Sequence, residues 1–196
     1  MARTGRVIFD NAVYHILNRG HDRGKLFRRP EDFKMFKETL MRYKGKFPSE
    51  VYHYCLMSNH FHILLKISHG EDLPFLMKGL CQTYAFYYKK QYHLSGYLFQ
   101  NRYKSIVIEK DEYLLECGRY IERNPVRAGI VDSPNNYHWS SYNFYASGRS
   151  DGIITPNPLY CALSAVERER RDKYAEYVTT ARPYESLLDK KMEELK

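Results

Sequence analysis

Residues 55–67 read CLMSNHFHILLKI and hold two histidines one residue apart, His60 and His62. Two β-rich runs, 51–57 and 60–67, flank Ser58-Asn59, a spacer with the length of a tight hairpin turn, so the runs are predicted to pair antiparallel. A strand points alternate side chains to opposite faces. Phe61, Ile63, Leu65 and Ile67 then share a wholly apolar face, the core side, while His60, His62, Leu64 and Lys66 share the other. The two imidazoles aim the same way on an accessible face, a spacing that suits a divalent cation. With a two-residue turn, Cys55 comes opposite His62 and His53 opposite Leu64, so a closed zinc site using Cys55 and His53 is the rival. A structural zinc site wants four such ligands, whereas a catalytic site keeps a position open. The hairpin alone leaves both choices standing.

Working outward, residues 12–19, AVYHILNR, read as a first strand followed by the basic loop RGHDRGK. A helix opens at Pro30 with Glu31 and Asp32 in its first turn and runs to about Lys46, before Pro48. Leu76, Met77, Leu80, Cys81, Tyr84 and Tyr88 recur at helical spacing after Leu73. Residues 103–109 read as a fourth strand. A further helix opens at Asp111 and is predicted to end near Asn124, because Pro125 disfavours helical geometry in the residue before it. The order β-α-β-β-α-β-α predicts an α+β fold with a ferredoxin-like antiparallel sheet and an added helix. The turn-rich stretch after Gly129 should pack Trp139 and Tyr142 back on the domain, residues 159–181 should form one more helix, and the charged end DKKMEELK should fray. The expected division is a main domain over residues 1–150 and a helical extension over 151–196.

Lys and Arg number 31 against 23 Asp and Glu, for a net charge of +8, which favours a polyanionic partner. Nineteen tyrosines, several interleaved with cations as in YAFYYKKQY and NRYKS, suit stacking on unpaired bases, although tyrosines at helical spacing commonly serve as core. The four cysteines are scattered without a CxxC pair, and the N-terminus lacks a secretion-like apolar run, so reduced thiols in a cytoplasm are expected. No stretch of about 18 consecutive apolar residues is present to span a bilayer.

In DEYLLECGRYIERNPVRAG, the apolar stripe is Leu114, Cys117, Gly118 and Ile121, with Tyr120 and Asn124 together on its flank and Arg119 and Arg123 on the outer side. A tyrosine beside an amide oxygen, flanked by guanidinium groups, can be a nucleophile next to a metal ligand. It can equally be an aromatic packed at the domain edge.

The stretches AVYHILNRG, YCLMSNHFHILL, GYLFQNRYKSIVIEKDEYLLECGRYIERNPVRAGIV and WSSY, in this order and spacing, resemble the single-tyrosine HUH transposases. The likeness is greatest to the REP-associated tyrosine transposases of the IS200-like family and covers roughly residues 5–145. It implies the HUH endonuclease fold, with His60 and His62 as metal ligands around the hydrophobic Phe61 and Tyr120 as the nucleophile. Asn124 matches the third ligand, a glutamine in better known relatives, and Ser58 stands where relatives often carry proline. The resemblance further implies Mg2+ or Mn2+, single-stranded DNA with hairpin repeats, a 5′-phosphotyrosine intermediate and rejoining without ATP, in a monomer or homodimer. Expected DNA contacts are Asn18, Arg19, Arg23, Arg102, Lys104, Arg119 and Arg123. A non-catalytic single-strand binder of the same fold and a structural zinc domain are the alternatives.

Overall fold

The computed structural model of the chain describes residues 8–109 and 111–182. Four strands, β1 (Val13–Arg19), β2 (Ser49–Met57), β3 (His60–Ile67) and β4 (Lys104–Ile108), form one sheet in the order β2-β3-β1-β4, with every neighbouring pair antiparallel. The intervening helices are α1 (Pro30–Lys46) and α2 (Asp72–Tyr92), and α3 (Asp111–Arg127) follows β4. Three shorter α-helices follow, α4 (Tyr142–Ser147), α5 (Pro158–Ala162) and α6 (Glu167–Thr179), and single 3-10 turns lie at His21–Arg23 and Pro134–Asn136. The fold is the α+β, ferredoxin-like arrangement that the order of elements predicts.

Helices α1 and α2 cover the face formed by Tyr14, Ile16, Phe61, Ile63 and Leu65, adding Phe36, Leu40, Leu76, Leu80 and Tyr84 to the main core. The buried Asp32 fixes the entry to α1: its carboxylate accepts from the backbone N–H groups of Arg28 and Arg29 at 2.8 and 3.2 Å. The Tyr87 and Tyr92 hydroxyls of α2 donate to the same carboxylate at 2.9 and 2.7 Å, tying the two helices together.

The opposite face departs from expectation. It is not open: α3 lies across it, and Leu114, Cys117, Tyr120 and Ile121 bury Tyr52, Cys55 and Leu64 in a second apolar cluster. Amphipathic α3 needs a surface on which to bury its stripe, and the sheet has one face left. A bulge in β2, where the register steps from Val51↔Leu65 to His53↔Leu64, sets both Tyr52 and His53 toward α3.

Two boundaries also differ from the predicted ones. Helix α3 runs past Pro125 to Arg127. Proline has no N–H for the Ile121 carbonyl, and the Asn124 side chain supplies one instead: Nδ2 donates to Ile121 O at 3.2 Å and Tyr120 O at 2.8 Å. The predicted helix over 159–181 is two helices, broken at residues 163–166, where the Ser164 hydroxyl accepts from Val166 N. The charged C-terminal end lies outside the described residues.

Residues beyond 150 pack on the domain, with Tyr160, Tyr174 and Val178 in the main core. Together with residues 139–141 they close the β2 edge. Leu56 N bonds Trp139 O, Ser141 N bonds Tyr54 O and Thr155 N bonds Val51 O, at 2.9 to 3.0 Å. Trp139 stacks on Phe33 with ring centres 4.4 Å apart, and Tyr142 is buried, as expected.

Candidate active site

β3 and α3 bring His60, His62 and Tyr120 together. The two imidazoles stand nearly perpendicular with ring centres 5.1 Å apart, and the Tyr120 ring lies edge-on to His62 at 5.9 Å. Asn124 follows Tyr120 by one helical turn and is buried. His62 is 1% exposed, whereas His60 is half-buried, so the His60 end of the cluster is the more open one.

Hydrogen bonds orient each candidate ligand. His60 Nδ1 lies 2.7 Å from Asn59 Oδ1, which can only accept, so Nδ1 carries the proton and Nε2 the lone pair. His62 Nδ1 lies 2.9 Å from Nε2 of His15, whose ring stacks on it at 5.1 Å. One proton serves that bond, and when it resides on His62 Nδ1 the lone pair of His62 is at Nε2. The Asn124 amide is fixed by its two N–H···O bonds to the helix, which assign nitrogen and oxygen and direct Oδ1 away from those carbonyls. Two imidazole nitrogens and an amide oxygen are a neutral donor set that fits a divalent cation with open positions.

Sequence reasoning passed over two residues here. His15 alternates with Val13 and Leu17 along β1, and that alternation was the signal placing it on the histidine face. Arg127 sets its guanidinium carbon 4.6 Å from the Tyr120 ring centre. Its seven-residue spacing from Tyr120 carries information only if α3 continues past Pro125.

The expected DNA contacts divide. Arg19 sits opposite His60 in the β1–β3 register, and Lys104 sits opposite Leu17, which itself pairs with His62, so both belong to the histidine face. Arg23 and Arg102 are exposed in the loops beside it. Asn18 is elsewhere: it pairs with Phe61 on the core face and is 6% exposed, its Oδ1 accepting from Arg19 N at 2.9 Å. Arg119 is buried and Arg123 half-buried, both engaged by the end of α6. Arg119 is 2% exposed and donates to Tyr177 O at 3.0 Å and Thr180 O at 2.5 Å. Arg123 donates to Val178 O at 2.9 Å and Thr179 O at 3.2 Å. The end of α6 leaves carbonyls without helical partners and carries the negative end of the dipole, so it draws these cations.

The zinc alternative does not form. His53 Nδ1 donates to Glu122 Oε1 at 2.9 Å and Nε2 accepts from Asn157 Nδ2 at 3.1 Å, which uses both ring nitrogens. The Cys55 thiol contacts Met57 Sδ at 3.7 Å, and burial pushes it well above the ordinary thiol range. Among the described residues, no group of three or more His, Cys, Asp or Glu is placed to hold a metal ion.

The architecture is thus a mixed α+β one: a four-stranded antiparallel sheet that carries paired imidazoles on a central strand, under a helix bearing a tyrosine. The sequence matches the family described as transposase IS200 like over residues 8–124, more than half its length, and the chain belongs to that family. In fold it is similar to a REP-associated tyrosine transposase solved bound to a REP hairpin, with TM-score 0.65 and 16% identity over 80% of this chain and 93% of that one. It also aligns with a candidate transposase from Deinococcus radiodurans R1, with TM-score 0.43 and 21% identity over 62% and 97% of the two chains. A tRNA(His) guanylyltransferase from Saccharomyces cerevisiae aligns with TM-score 0.45 and 10% identity over 93% and 77%. Comparison with curated protein sequences gives no match. No helix among the described residues is long and apolar enough to cross a membrane.

Proposed function

We propose that this transposase-family chain cleaves and rejoins single-stranded, hairpin-forming repeat DNA through Tyr120, using a divalent cation. The observation that carries the proposal is the placement of the Tyr120 ring 5.9 Å from His62, on helix α3, which crosses the histidine face. His60 Nε2, His62 Nε2 and Asn124 Oδ1 would hold Mg2+ or Mn2+, which when bound polarises the scissile phosphate and helps align it. The Tyr120 oxygen gives up its proton and attacks phosphorus; the P–O3′ bond breaks, the 3′ oxygen takes a proton, and a 5′-phosphotyrosine link remains. The Arg127 guanidinium over the ring favours negative charge on the attacking oxygen. Because the link keeps the phosphodiester's free energy, a returning 3′-hydroxyl can displace Tyr120 and reseal the strand.

Arg19, Arg23, Arg102 and Lys104 would engage the phosphates around this centre, and the net charge of +8 supports a polyanion. The hairpin substrate follows from the likeness in fold to the transposase solved with a REP hairpin. Cytoplasmic action on chromosomal repeats is part of the same proposal. The test is incubation of wild type and Tyr120→Phe with single-stranded repeat DNA and Mn2+, followed by a denaturing gel. Wild type should give a cleaved strand and a protein–DNA adduct, and Tyr120→Phe neither. A strand bound equally well by both and cut by neither would instead favour the non-catalytic binder.

A further inference from the structure

A cleft lined by apolar and cationic groups opens where β1 ends, apart from the imidazoles. Its volume is about 150 Å³, and beside Leu94 and Leu98 it is lined by His21, Lys25, Arg28, Tyr88, Lys89 and Tyr97. No carboxylate is among its lining residues.

The cleft is built rather than incidental. Gly20 N bonds Asn59 O and His21 N bonds Leu98 O, both at 2.8 Å, which pins the loop after β1 to the β2–β3 turn on one side and to the segment after α2 on the other. Leu26 N and Phe27 N both bond Ser58 O, at 2.8 and 3.0 Å. A side chain at Gly20 would strike the Gly24 carbonyl, so the loop closes only with glycine there. Asp22 and Arg23 hold left-handed φ angles of 48° and 55°, a backbone conformation kept only where its surroundings impose it.

Two features face a ligand. Arg28 Nε donates to the Tyr88 hydroxyl at 2.7 Å, and its guanidinium carbon lies 4.4 Å from the Tyr92 ring centre. That bond orients the group and leaves both terminal NH2 groups as donors for an anion. Tyr97, carried on a turn with Gly96 at φ 86°, is 84% exposed, so its ring offers almost a full face to solvent. A flat aromatic beside fixed cations matches a nucleotide, with the base on the ring and phosphates on the cations. Duplex bases, already stacked, cannot occupy it. The cleft begins two residues after Arg19, which sits opposite His60, so it adjoins the end of β1 that carries the histidine face.

We propose that this cleft is a second nucleic-acid site, which takes one unpaired nucleotide of the strand whose scissile phosphate is presented to Tyr120. The proposal rests on the single-strand reading above and names where the flank of the substrate is held.

The test uses the full chain in EDTA, where cleavage does not interfere, and measures anisotropy of a fluorescein-labelled, unstructured thymidine 10-mer and of a duplex of equal length. Tyr97→Ala should weaken single-strand binding about tenfold, and Tyr97→Phe, which keeps the ring, should not. Lys89→Ala should lower the log–log salt slope by about 0.7. Phe86→Ala, exposed on the same helix as Lys89 but outside the cleft, should bind as wild type. Wild-type single-strand binding by both Tyr97→Ala and Lys89→Ala overturns the proposal, and so does an equal loss for duplex. Cleavage by Tyr120→Phe would sink the chemistry proposed for the tyrosine and leave these binding results readable, so the two failures are distinct.

Discussion

Two histidines on the same sheet face, both beneath α3, live in opposite circumstances. His53 is held in a closed network: Glu122 and Asn157 take its two ring nitrogens, while Ser141 and Tyr174 donate to the Glu122 carboxylate at 2.6 and 2.7 Å. His62 has another imidazole as its partner and a tyrosine ring at its edge. The first cluster pairs a carboxylate with three donors from distant parts of the chain, which fixes a tertiary arrangement. The second is built from imidazoles and a phenol, groups that can ligate a cation, which suits a centre whose charge arrives with substrate and metal. Ser, His and Glu side by side thus do not make a hydrolytic triad here: the Ser141 hydroxyl serves the carboxylate, and the whole cluster is buried.

The contrast can be broken from either side. The largest effect is expected from Tyr120→Phe, which should lower strand cleavage by about 10⁴-fold or more while the thermal midpoint stays within about 3 °C. Next, Glu122→Ala leaves His53, Ser141 and Tyr174 without their shared acceptor and should cost about 3–5 kcal/mol in denaturant unfolding. Retained stability there would show that the closed network is not a structural device. His15→Phe keeps a ring against His62 but removes the nitrogen partner; Mn2+ affinity, followed by the electron paramagnetic resonance of free Mn2+, should fall about 10- to 100-fold. Single-strand binding in EDTA should not change in this variant, and an unchanged Mn2+ affinity would remove His15 from the site. The smallest effect belongs to Arg119→Ala, expected to lower stability by about 1 kcal/mol with single-strand affinity intact, whereas Lys104→Ala should weaken binding and leave stability alone.

Much of this was written in local pattern. Alternation in 60–67, the two-residue turn and the helical spacing of Leu76, Leu80 and Tyr84 fixed three elements and the Cys55↔His62 register, because each rests on neighbours in sequence. The resemblance singled out His60, His62, Tyr120 and Asn124, and the fold gathers the first three. What was not legible depends on distant parts. Nothing near Arg119 announces that α6 will arrive to take it from solvent. The continuation of α3 depends on a side chain replacing a missing backbone donor, which a rule about the residue before proline does not contain. The covering of the histidine face follows only once the apolar stripe of α3 is set against a sheet that has a vacant side.

The closure of the β2 edge has a consequence for how the chain is made. β2 leaves the ribosome as residues 49–57, but the segments that cap it come at 139–141 and 154–155, and the partners of His53 at 122, 157 and 174. At about 5–20 residues per second, the nascent chain carries an open strand edge for about 5–20 s. Throughout that interval it can pair with another nascent copy on the same messenger as easily as with itself. A chain stopped after residue 150 would keep the caps at Trp139 and Ser141 but lack Thr155, Asn157 and Tyr174, leaving the Val51 end of the edge open for good, and should be recovered as aggregate instead of as a smaller working protein.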